Sequence, residues 1–261
     1  MSYYCDDFLI KEKNALAKDI YSFTVYCPEA AAAAKCGQFV HIRAEGFTLR
    51  RPVSICRVDR EKGTIRIVFA VKGEGTAEIA RLNKGDRMNM IAPLGNGFSS
   101  AEIPQGKRVL LVSGGIGVPP MLETARRHIS RNDSVTALLG FRGYGNIILA
   151  DEFEKMGVQT VICTDDGSVG IKGTIAGPMR AELEKEDIGA VFACGPKPML
   201  KAVAELANEY DVFCELSLEE RMACGVGACV GCAARIKRDG GEKLLRVCKD
   251  GPVFNAAEVI F

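Results

Sequence analysis

The chain has 261 residues, with 34 basic and 33 acidic side chains and a formal net charge of +1. This balance provides no electrostatic basis for binding nucleic acid or an anionic membrane surface, so we expect neither as a partner. The composition, 48% hydrophobic and 26% charged, is that of a globular protein. Its length suits two compact units and an appendage.

The N-terminal stretch MSYYCDDFLI carries two aspartates where a secretory signal would be apolar. Of the eleven cysteines, most stand singly, but four are grouped towards the C-terminal end. We therefore expect a cytoplasmic protein in which the grouped cysteines bind metal rather than form disulfides.

Residues 1–100 predict a small antiparallel β-barrel. Four short runs are rich in Val, Ile, Phe and Tyr and are bounded by Gly, Pro or charged residues: IYSFTVYC, GQFVHIRA, RPVSICRVD and GTIRIVFAV. One helix interrupts the strands, in the segment GTAEIARLNKGD, where apolar residues recur at helical spacing until Gly85.

Strands alternate with helices in residues 101–212. The apolar runs KRVLLVS, SVTALLGF, VQTVICT and AVFACG are each followed by a helical stretch, which predicts a parallel sheet with crossover helices. The last segment, 213–261, shows little regular pattern and holds the grouped cysteines. The predicted fold class is therefore an α+β multidomain chain: an antiparallel barrel, an α/β domain and a small C-terminal domain.

The grouped cysteines are spaced Cys224-x4-Cys229-x2-Cys232-x15-Cys248, the plant-type ligand spacing of a [2Fe–2S] cluster. Small residues between them let the loop fold around a cluster and direct N–H groups at its sulfurs. A structural zinc site fits less well, because Cys248 stands alone and neither histidine is close in sequence. A redox pair of Cys229 and Cys232 fits least, since it leaves Cys224 and the glycines unexplained.

The segment RRPVSI, residues 50–55, contains a candidate flavin site. Arg51 can pair with a pyrophosphate, and Ser54 can donate a hydrogen bond to the flavin ring. Alone, this pattern also fits a solvated arginine before an ordinary strand, but a glycine–threonine helix start suited to anions follows in GEGTAEIA. The segment VFAV, 68–71, fits the barrel core, or its backbone lines the flavin ring. The candidate FAD residues are Arg51, Pro52, Val53, Ser54, Val68, Phe69, Ala70, Gly75 and Thr76.

A candidate nucleotide site begins at LLVSGGIGVPPM, which joins a predicted strand to a helix and so admits a pyrophosphate to the helix N-terminus. Two further loops, 164–173 and 193–199, follow later strands at the sheet edge where such folds bind ligands. Asp165 and Asp166 favour ribose hydroxyls over a 2′-phosphate, so NAD is preferred to NADP. Cys194 is either a catalytic contact near the nicotinamide or a buried packing thiol. The candidate NAD residues are Gly114, Gly115, Gly117, Asp165, Cys194, Gly195 and Pro196.

Together, RRPVSI, GEGT, SGGIGVPPM, CGPKPM and the four-cysteine tail resemble the ferredoxin-reductase superfamily, and within it the electron-transfer subunits of dihydroorotate dehydrogenase B. The resemblance covers essentially the whole chain. Val53 stands where plain ferredoxin reductases carry an aromatic residue, which is similar to the dehydrogenase subunits. The resemblance implies an FAD-binding β-barrel domain over 1–100, an NAD-binding α/β domain over 101–212 and a [2Fe–2S] domain over 213–261.

The resemblance also implies an electron relay in pyrimidine (UMP) biosynthesis. Dihydroorotate would be oxidised at FMN in a partner catalytic subunit, and electrons would pass through the [2Fe–2S] cluster and FAD to NAD+. A heterotetramer with two copies of each subunit is expected.

Two alternatives stay open. The first is a subunit of an NAD(P)H–ferredoxin oxidoreductase or sulfide dehydrogenase, although those relatives tend to place an aspartate where this chain has Cys224. The second is a non-catalytic nucleotide-binding regulator with a structural four-cysteine zinc site.

Overall fold

The computed structural model describes residues 3–99, 103, 106–185 and 187–261. The first unit is a closed antiparallel barrel of six strands in the order β1-β2-β5-β4-β3-β6, as the alternating apolar runs predict. Its strands are β1 (Tyr4–Ala17), β2 (Ile20–Tyr26), β3 (Phe39–Ile42), β4 (Arg51–Asp59), β5 (Thr64–Ala70) and β6 (Arg87–Leu94). The four predicted runs supply β2 to β5, whereas β1 and β6 were not predicted. The inward side chains form one apolar core, in which the Phe23 and Phe69 rings meet edge to face at 5.3 Å between centroids.

Two helices cover the barrel. Helix α2 (Glu74–Arg81) is the predicted one, although it ends before the Gly85 at which the sequence pattern stops. Helix α1 (Pro28–Ala33) is not evident from the apolar pattern. It forms because Pro28 suits a first helical position and alanine has the highest helix propensity. Ala30 and Ala31 are buried against the barrel core.

The second unit is a sheet with helices on both faces. Its first six strands are parallel and are β7 (Arg108–Gly114), β8 (Ser134–Phe141), β9 (Gln159–Thr164), β10 (Ile171–Lys172), β11 (Ile188–Cys194) and β12 (Cys214–Ser217). Helices α3 (Pro119–Ile129) and α4 (Ala150–Lys155) cover one face, and α5 (Ala176–Leu183) and α6 (Lys197–Glu209) the other. The strands read as continuous apolar runs because both faces are covered. No described helix combines the length and apolar character that crossing a bilayer needs.

The last segment is more regular than its sequence pattern indicates. A hairpin of β13 (Ala233–Arg238) and β14 (Gly241–Arg246) turns at Asp239 and Gly240, both with positive φ, as a tight hairpin turn requires. Strand β15 (Val253–Asn255) then pairs antiparallel with β12. Because both strands join the sheet of the second unit, its full order is β10-β9-β8-β7-β11-β12-β15. Strands β12 and β15, with four and three residues, are too short to show an alternating apolar pattern in the sequence.

The barrel and the sheet unit pack together through a shared core and through polar contacts. The Arg66 guanidinium of β5 lies 2.8 Å from the Glu152 carboxylate of α4. On α3, the Glu123 carboxylate accepts a hydrogen bond from the Val58 amide at 3.2 Å, and Arg126 donates to the Val58 carbonyl at 2.9 Å. These contacts hold strands β4 and β5 of the barrel against helices α3 and α4 of the sheet unit.

The cysteine-bearing segment packs on one end of the barrel. An apolar cluster joins Phe39 and Leu94 of the barrel to Met222, Cys232 and the residues around them. The Asn96 side chain, just after β6, donates to the carbonyls of residues 249 and 250 at 3.1 Å each. These contacts place the cysteine loop beside β3, next to the strand that carries the RPVS motif.

Candidate cofactor sites

Arg51 and the first turn of α2 form a positively charged cradle at the edge of the barrel. A Cβ on Gly75 would lie 2.2 Å from Arg51 Nη2, so the guanidinium occupies the space that a larger residue would fill. The same guanidinium lies 5.4 Å from the Phe47 ring centroid and donates to the Leu49 carbonyl. A guanidinium so close to the positive end of a helix favours an anion between them. The cradle fits the pyrophosphate of FAD.

Thr76 shapes the turn that leads into α2. Its hydroxyl accepts hydrogen bonds from the Lys72 and Gly73 amides, at 2.9 and 3.2 Å, and donates to the Gly73 carbonyl at 2.8 Å. Because the hydroxyl is used within the turn, the group that Thr76 offers to a ligand is its backbone.

The other predicted flavin residues lie on β4 and β5. Ser54 is half-buried, while Val53 is buried and packs in the barrel core. Val68 packs in the core shared with the sheet unit, whereas the neighbouring Phe69 packs inside the barrel. Both side chains thus contribute to packing. Val68 lies at the junction between the barrel and the sheet unit, whereas Phe69 does not. Pro52 is exposed and Ala70 half-buried.

The predicted nucleotide loops meet at the centre of the sheet edge. Strands β7 and β11 are neighbours, and the strand order reverses between them, which is the point where open α/β sheets bind ligands. A Cβ on Gly117 would lie 2.2 Å from the Cys194 carbonyl oxygen, and Cβ atoms on Gly114 and Gly195 would lie 2.9 and 2.6 Å from Met199. These three glycines let the two loops approach each other. Pro196 lies in the same contact, 3.1 Å from the Gly114 Cβ position.

Gly115 differs from its neighbours, because it has φ +53° and open space on the side that a Cβ would occupy. Asp165 follows β9, two strands from β7, and is exposed. The adjacent Asp166 carboxylate accepts from the Ser168 amide at 2.9 Å, and hydrogen bonds from the Ser168 hydroxyl and amide hold the pKa of Asp166 below its usual value. Asp166 therefore stabilises its own turn, whereas the Asp165 side chain is exposed at the end of β9.

Cys194 is buried at the end of β11, beside Ser113 and Ser217 of the neighbouring strands. Burial raises the pKa of its thiol to about 12, and the negative charge of Glu219 acts in the same direction, against a hydrogen bond with Ser217. Cys194 is therefore a neutral thiol at physiological pH, set in the crevice between the two nucleotide loops.

Three of the grouped cysteines, Cys224, Cys229 and Cys232, lie on the loop after β12, and Cys248 lies on the turn after β14. The Cys224 sulfur accepts hydrogen bonds from the amides of Ala228 and Cys229, at 3.2 and 3.4 Å. The Cys232 sulfur accepts from the Cys248 amide at 3.4 Å. Backbone N–H groups directed at sulfur are what a cluster-binding loop supplies to its thiolates.

The loop backbone depends on residues with positive φ: Gly225 at +71°, Gly227 at +85° and Val230 at +59°. A Cβ at Gly225 would clash with a barrel side chain, and one at Gly227 would lie 2.5 Å from the Lys249 side chain. Cys224 is half-buried and Cys229 exposed, whereas Cys232 and Cys248 are buried. Over the described residues, no three His, Cys, Asp or Glu side chains form a ready set of ligands for a metal ion.

Burial and hydrogen bonding shift the pKa values of Cys224 and Cys248 in opposite directions. Burial raises the pKa of Cys224, but amide hydrogen bonds from residues 226, 228 and 229 outweigh it and bring the value to about 6. Burial and the neighbouring Cys232 raise the pKa of Cys248 to about 12. The Arg246 guanidinium lies near Cys232 and Cys248 and donates to the Gly227 carbonyl at 2.9 Å. The same guanidinium donates to the Asp250 carboxylate at 2.9 and 3.1 Å, so this ion pair holds it beside the buried cysteines.

Sequence reasoning missed two residues at this loop. Arg246 stands two positions before Cys248, and that proximity to a ligand is the signal that identifies it. His41 is far from every cysteine of the group in sequence, yet a Cβ on Gly225 would lie 2.2 Å from its Nδ1 atom. Burial lowers the pKa of His41 to about 4, so the ring is neutral. No sequence signal predicts this contact.

Comparison with known proteins identifies the architecture. Residues 219–260 match the iron–sulfur cluster binding domain of dihydroorotate dehydrogenase B, and residues 111–205 match an oxidoreductase NAD-binding domain. A solved structure of an NADH-dependent reduced ferredoxin-NADP oxidoreductase superposes with a TM-score of 0.87 at 30% identity, covering 98% of this chain and 90% of that one. Phthalate dioxygenase reductase shares the fold at 19% identity, with a TM-score of 0.63 over 94% of this chain and 77% of its own.

The fold and the matched domains define an electron-transfer oxidoreductase subunit of the ferredoxin-reductase type, and they confirm FAD, a [2Fe–2S] cluster and NAD as the predicted cofactors. The match to an iron–sulfur domain favours the cluster over the zinc alternative.

Full-length relatives identify the family. The dihydroorotate dehydrogenase B (NAD(+)) electron transfer subunit of Bacillus caldolyticus is 40% identical over 255 residues, 96% of each chain. That of Caldanaerobacter subterraneus subsp. tengcongensis is 43% identical over 226 residues, 86% of this chain and 87% of its own. This chain belongs to the family of dihydroorotate dehydrogenase B electron-transfer subunits, as the sequence motifs predict.

Proposed function

We propose that this chain transfers electrons from the oxidation of dihydroorotate, in a catalytic partner subunit, to NAD+ during pyrimidine biosynthesis. The observation that carries the proposal is the contact between the cysteine loop and strand β3, which pairs with the flavin strand β4. FAD, when bound, exchanges electrons singly with an iron–sulfur cluster and in pairs with a nicotinamide. In this proposal the cluster loop lies on the β3 side of the flavin strand β4, and the nucleotide loop at Gly115–Gly117 lies on the β5 side.

The barrel residues hold and orient the flavin in this proposal. Arg51 and the α2 N-terminus, through Gly75 and the Thr76 backbone, bind the pyrophosphate. The half-buried Ser54 hydroxyl donates to the flavin ring. The remaining contacts with the flavin come from the backbone and the accessible side-chain atoms of Pro52, Val53, Val68, Phe69 and Ala70.

The sheet residues bind NAD+ in this proposal. Gly114, Gly115 and Gly117 admit the pyrophosphate, and the exposed Asp165 accepts hydrogen bonds from a ribose. Gly195 and Pro196 form the opposite wall, where the neutral Cys194 thiol contacts the nicotinamide. A neutral thiol excludes water from the crevice without adding a charge that would favour either form of the nicotinamide.

The cluster ligands in this proposal are Cys224, Cys229, Cys232 and Cys248. Six backbone and side-chain features support them: two amides on Cys224, one on Cys232, the positive φ angles of two glycines and the Arg246 charge. The exposure of Cys229 places one side of the loop at the surface, where a protein partner can approach.

The family implies a catalytic partner subunit. We propose that this partner carries FMN, that two copies of each subunit form a heterotetramer, and that the complex works in the cytoplasm. The cysteines support the last point, because none of the eleven is paired in a disulfide.

Reconstitution with the catalytic subunit tests the function. The complex should reduce NAD+ with dihydroorotate, whereas this chain alone should not. A complex that contains the C224A variant should still oxidise dihydroorotate with an artificial dye but lose NAD+ reduction. C5A is the matched control, because Cys5 is an exposed thiol on β1 outside the cysteine loop. Reduction of NAD+ by reduced ferredoxin, with none by dihydroorotate, would assign the chain to the alternative oxidoreductase class.

A further inference from the structure

Tyr144 is the most exposed large apolar residue in the part of the chain that the structure describes. It is 72% exposed. It begins a short 3-10 turn (Tyr144–Asn146) after β8, and none of the three predicted nucleotide loops includes it. An aromatic ring stabilises a fold chiefly through the apolar area that it buries, so a ring this exposed contributes little to the fold.

The backbone around Tyr144, in contrast, is held firmly. The Tyr144 amide donates to the Ser168 hydroxyl at 2.8 Å, which ties the turn to the loop after β9. The preceding Gly143 is buried against the same loop, since a Cβ there would lie 2.3 Å from Asp166 Oδ2. The turn therefore holds an exposed aromatic residue at a fixed place beside the loop that carries Asp165.

The sheet places this turn between two of the proposed NAD contacts. Strands β9, β8 and β7 are consecutive neighbours. Gly140 of β8 stands opposite Gly114 of β7 on one side and Cys163 of β9 on the other, so the three strands end at the same level. Neighbouring strands are about 4.8 Å apart, so the loops after β7 and β9 are separated by about 10 Å. The turn at Tyr144 lies between them.

A dinucleotide bound as proposed above has to cross this turn. Its pyrophosphate lies at Gly115, after β7, and a ribose lies at Asp165, after β9. The adenosine half is thus held at both sides of β8, and the end of that strand presents Tyr144.

Other tyrosines of this fold have partners for their rings. Lys11 Nζ lies 5.6 Å from the ring centroid of Tyr26, and the Arg180 guanidinium lies 5.8 Å from that of Tyr210. Among the described residues, no aromatic or cation contact of this kind involves Tyr144. Its ring is therefore available to a ligand.

We propose that Tyr144 binds the adenosine half of NAD+ by packing its ring against it. This inference rests on the proposed function, because it assumes that Gly115 and Asp165 hold the dinucleotide. An aromatic ring offers a purine a flat stacking surface and adds no charge. The adenosine half does not change during hydride transfer, so this contact lowers KM and leaves kcat unaltered. It also makes the site prefer a dinucleotide to a nicotinamide mononucleotide.

The test measures NADH oxidation by ferricyanide in the full complex. Y144A should raise KM for NADH by roughly tenfold at unchanged kcat, because the stacking surface is lost. Y144F keeps the ring and should restore the wild-type KM. With reduced nicotinamide mononucleotide, which lacks the adenosine half, Y144A and the wild type should have equal kcat/KM. Y26A is the matched control, because it removes an exposed tyrosine from barrel strand β2, and it should change neither KM.

The outcomes separate this inference from the proposed function. A wild-type complex that does not oxidise NADH would overturn both. A wild type that does, with an equal KM in Y144A, would overturn only the role of Tyr144. An equal loss of kcat/KM with NADH and with the mononucleotide would show that Y144A disturbs the site as a whole, which also overturns the adenosine contact. A KM as high in Y144F as in Y144A would assign the contact to the hydroxyl and overturn the role of the ring.

Discussion

Replacing Gly75 by alanine should weaken FAD binding without unfolding the barrel. The new Cβ would lie 2.2, 2.5 and 2.6 Å from Nη2, Cζ and Nε of Arg51, so the guanidinium must leave the first turn of α2. Since it is the free end of a long side chain, it can move at little cost to the fold. Alanine also favours a helix over glycine by about 0.5–1 kcal/mol, so α2 should gain stability.

The magnitude follows from the contact that is lost. A hydrogen bond to a charged group contributes about 1.5–3 kcal/mol, and each 1.4 kcal/mol is a factor of ten in the dissociation constant. G75A should therefore raise the dissociation constant of FAD by roughly 10- to 150-fold. Flavin fluorescence quenching during titration of the flavin-free chain measures this, and thermal unfolding reports the fold.

G73A is the matched control. Gly73 precedes α2 with an extended backbone, at φ −177°, and its Cβ would meet nothing within 4 Å. This variant should bind FAD as the wild type does. Equal weakening by G73A and G75A, or unchanged binding in G75A, would contradict the cradle of Arg51 and the helix N-terminus.

Three further predictions concern the cluster, the pH dependence and the domain contact. The C224A variant of the isolated chain should lose its cluster absorbance and EPR signal while its FAD content stays unchanged. Burial raises the pKa of Glu123 above 4.5, so this group stabilises the folded state at low pH, and that stability is lost as pH rises from 4.5 through the raised value. E123Q should flatten this fall in a plot of melting temperature against pH. R66A should lower the stability by about 1 kcal/mol, because its ion pair with Glu152 is partly buried at 19% and 26% exposure.

Each of these predictions has its own control. C5A should keep both cofactors, and a full cluster signal in C224A would remove Cys224 from the ligand set. A melting temperature of E123Q that falls with pH as steeply as the wild type would show that another group titrates. In a double-mutant cycle, R66A and E152A should be non-additive, and additive effects would show that the ion pair contributes nothing.

Local patterns were sufficient for much of this protein. The strand runs of the barrel, the alternation of strands and helices and the cysteine spacing each depend on residues close in sequence, and the structure and the comparisons confirm the fold class and the cofactors that they predict. Helix α1 and the short strands β12 and β15 were not predicted. They have six, four and three residues, which is too short for a repeating apolar pattern to be recognised.

The contacts between distant segments required the folded chain. Arg51 meets Gly75 and His41 meets Gly225 at sequence separations that no local pattern spans, whereas the β13–β14 hairpin brings Arg246 to Cys232 by pairing it with Ala233. The physical reason is barrel closure: residues far apart in the chain become neighbours only when β3 is set between β4 and β6 and the cysteine loop packs on that end. The amino-acid order thus specifies which cofactor chemistries the chain carries, and the closed barrel specifies which side chains support each of them.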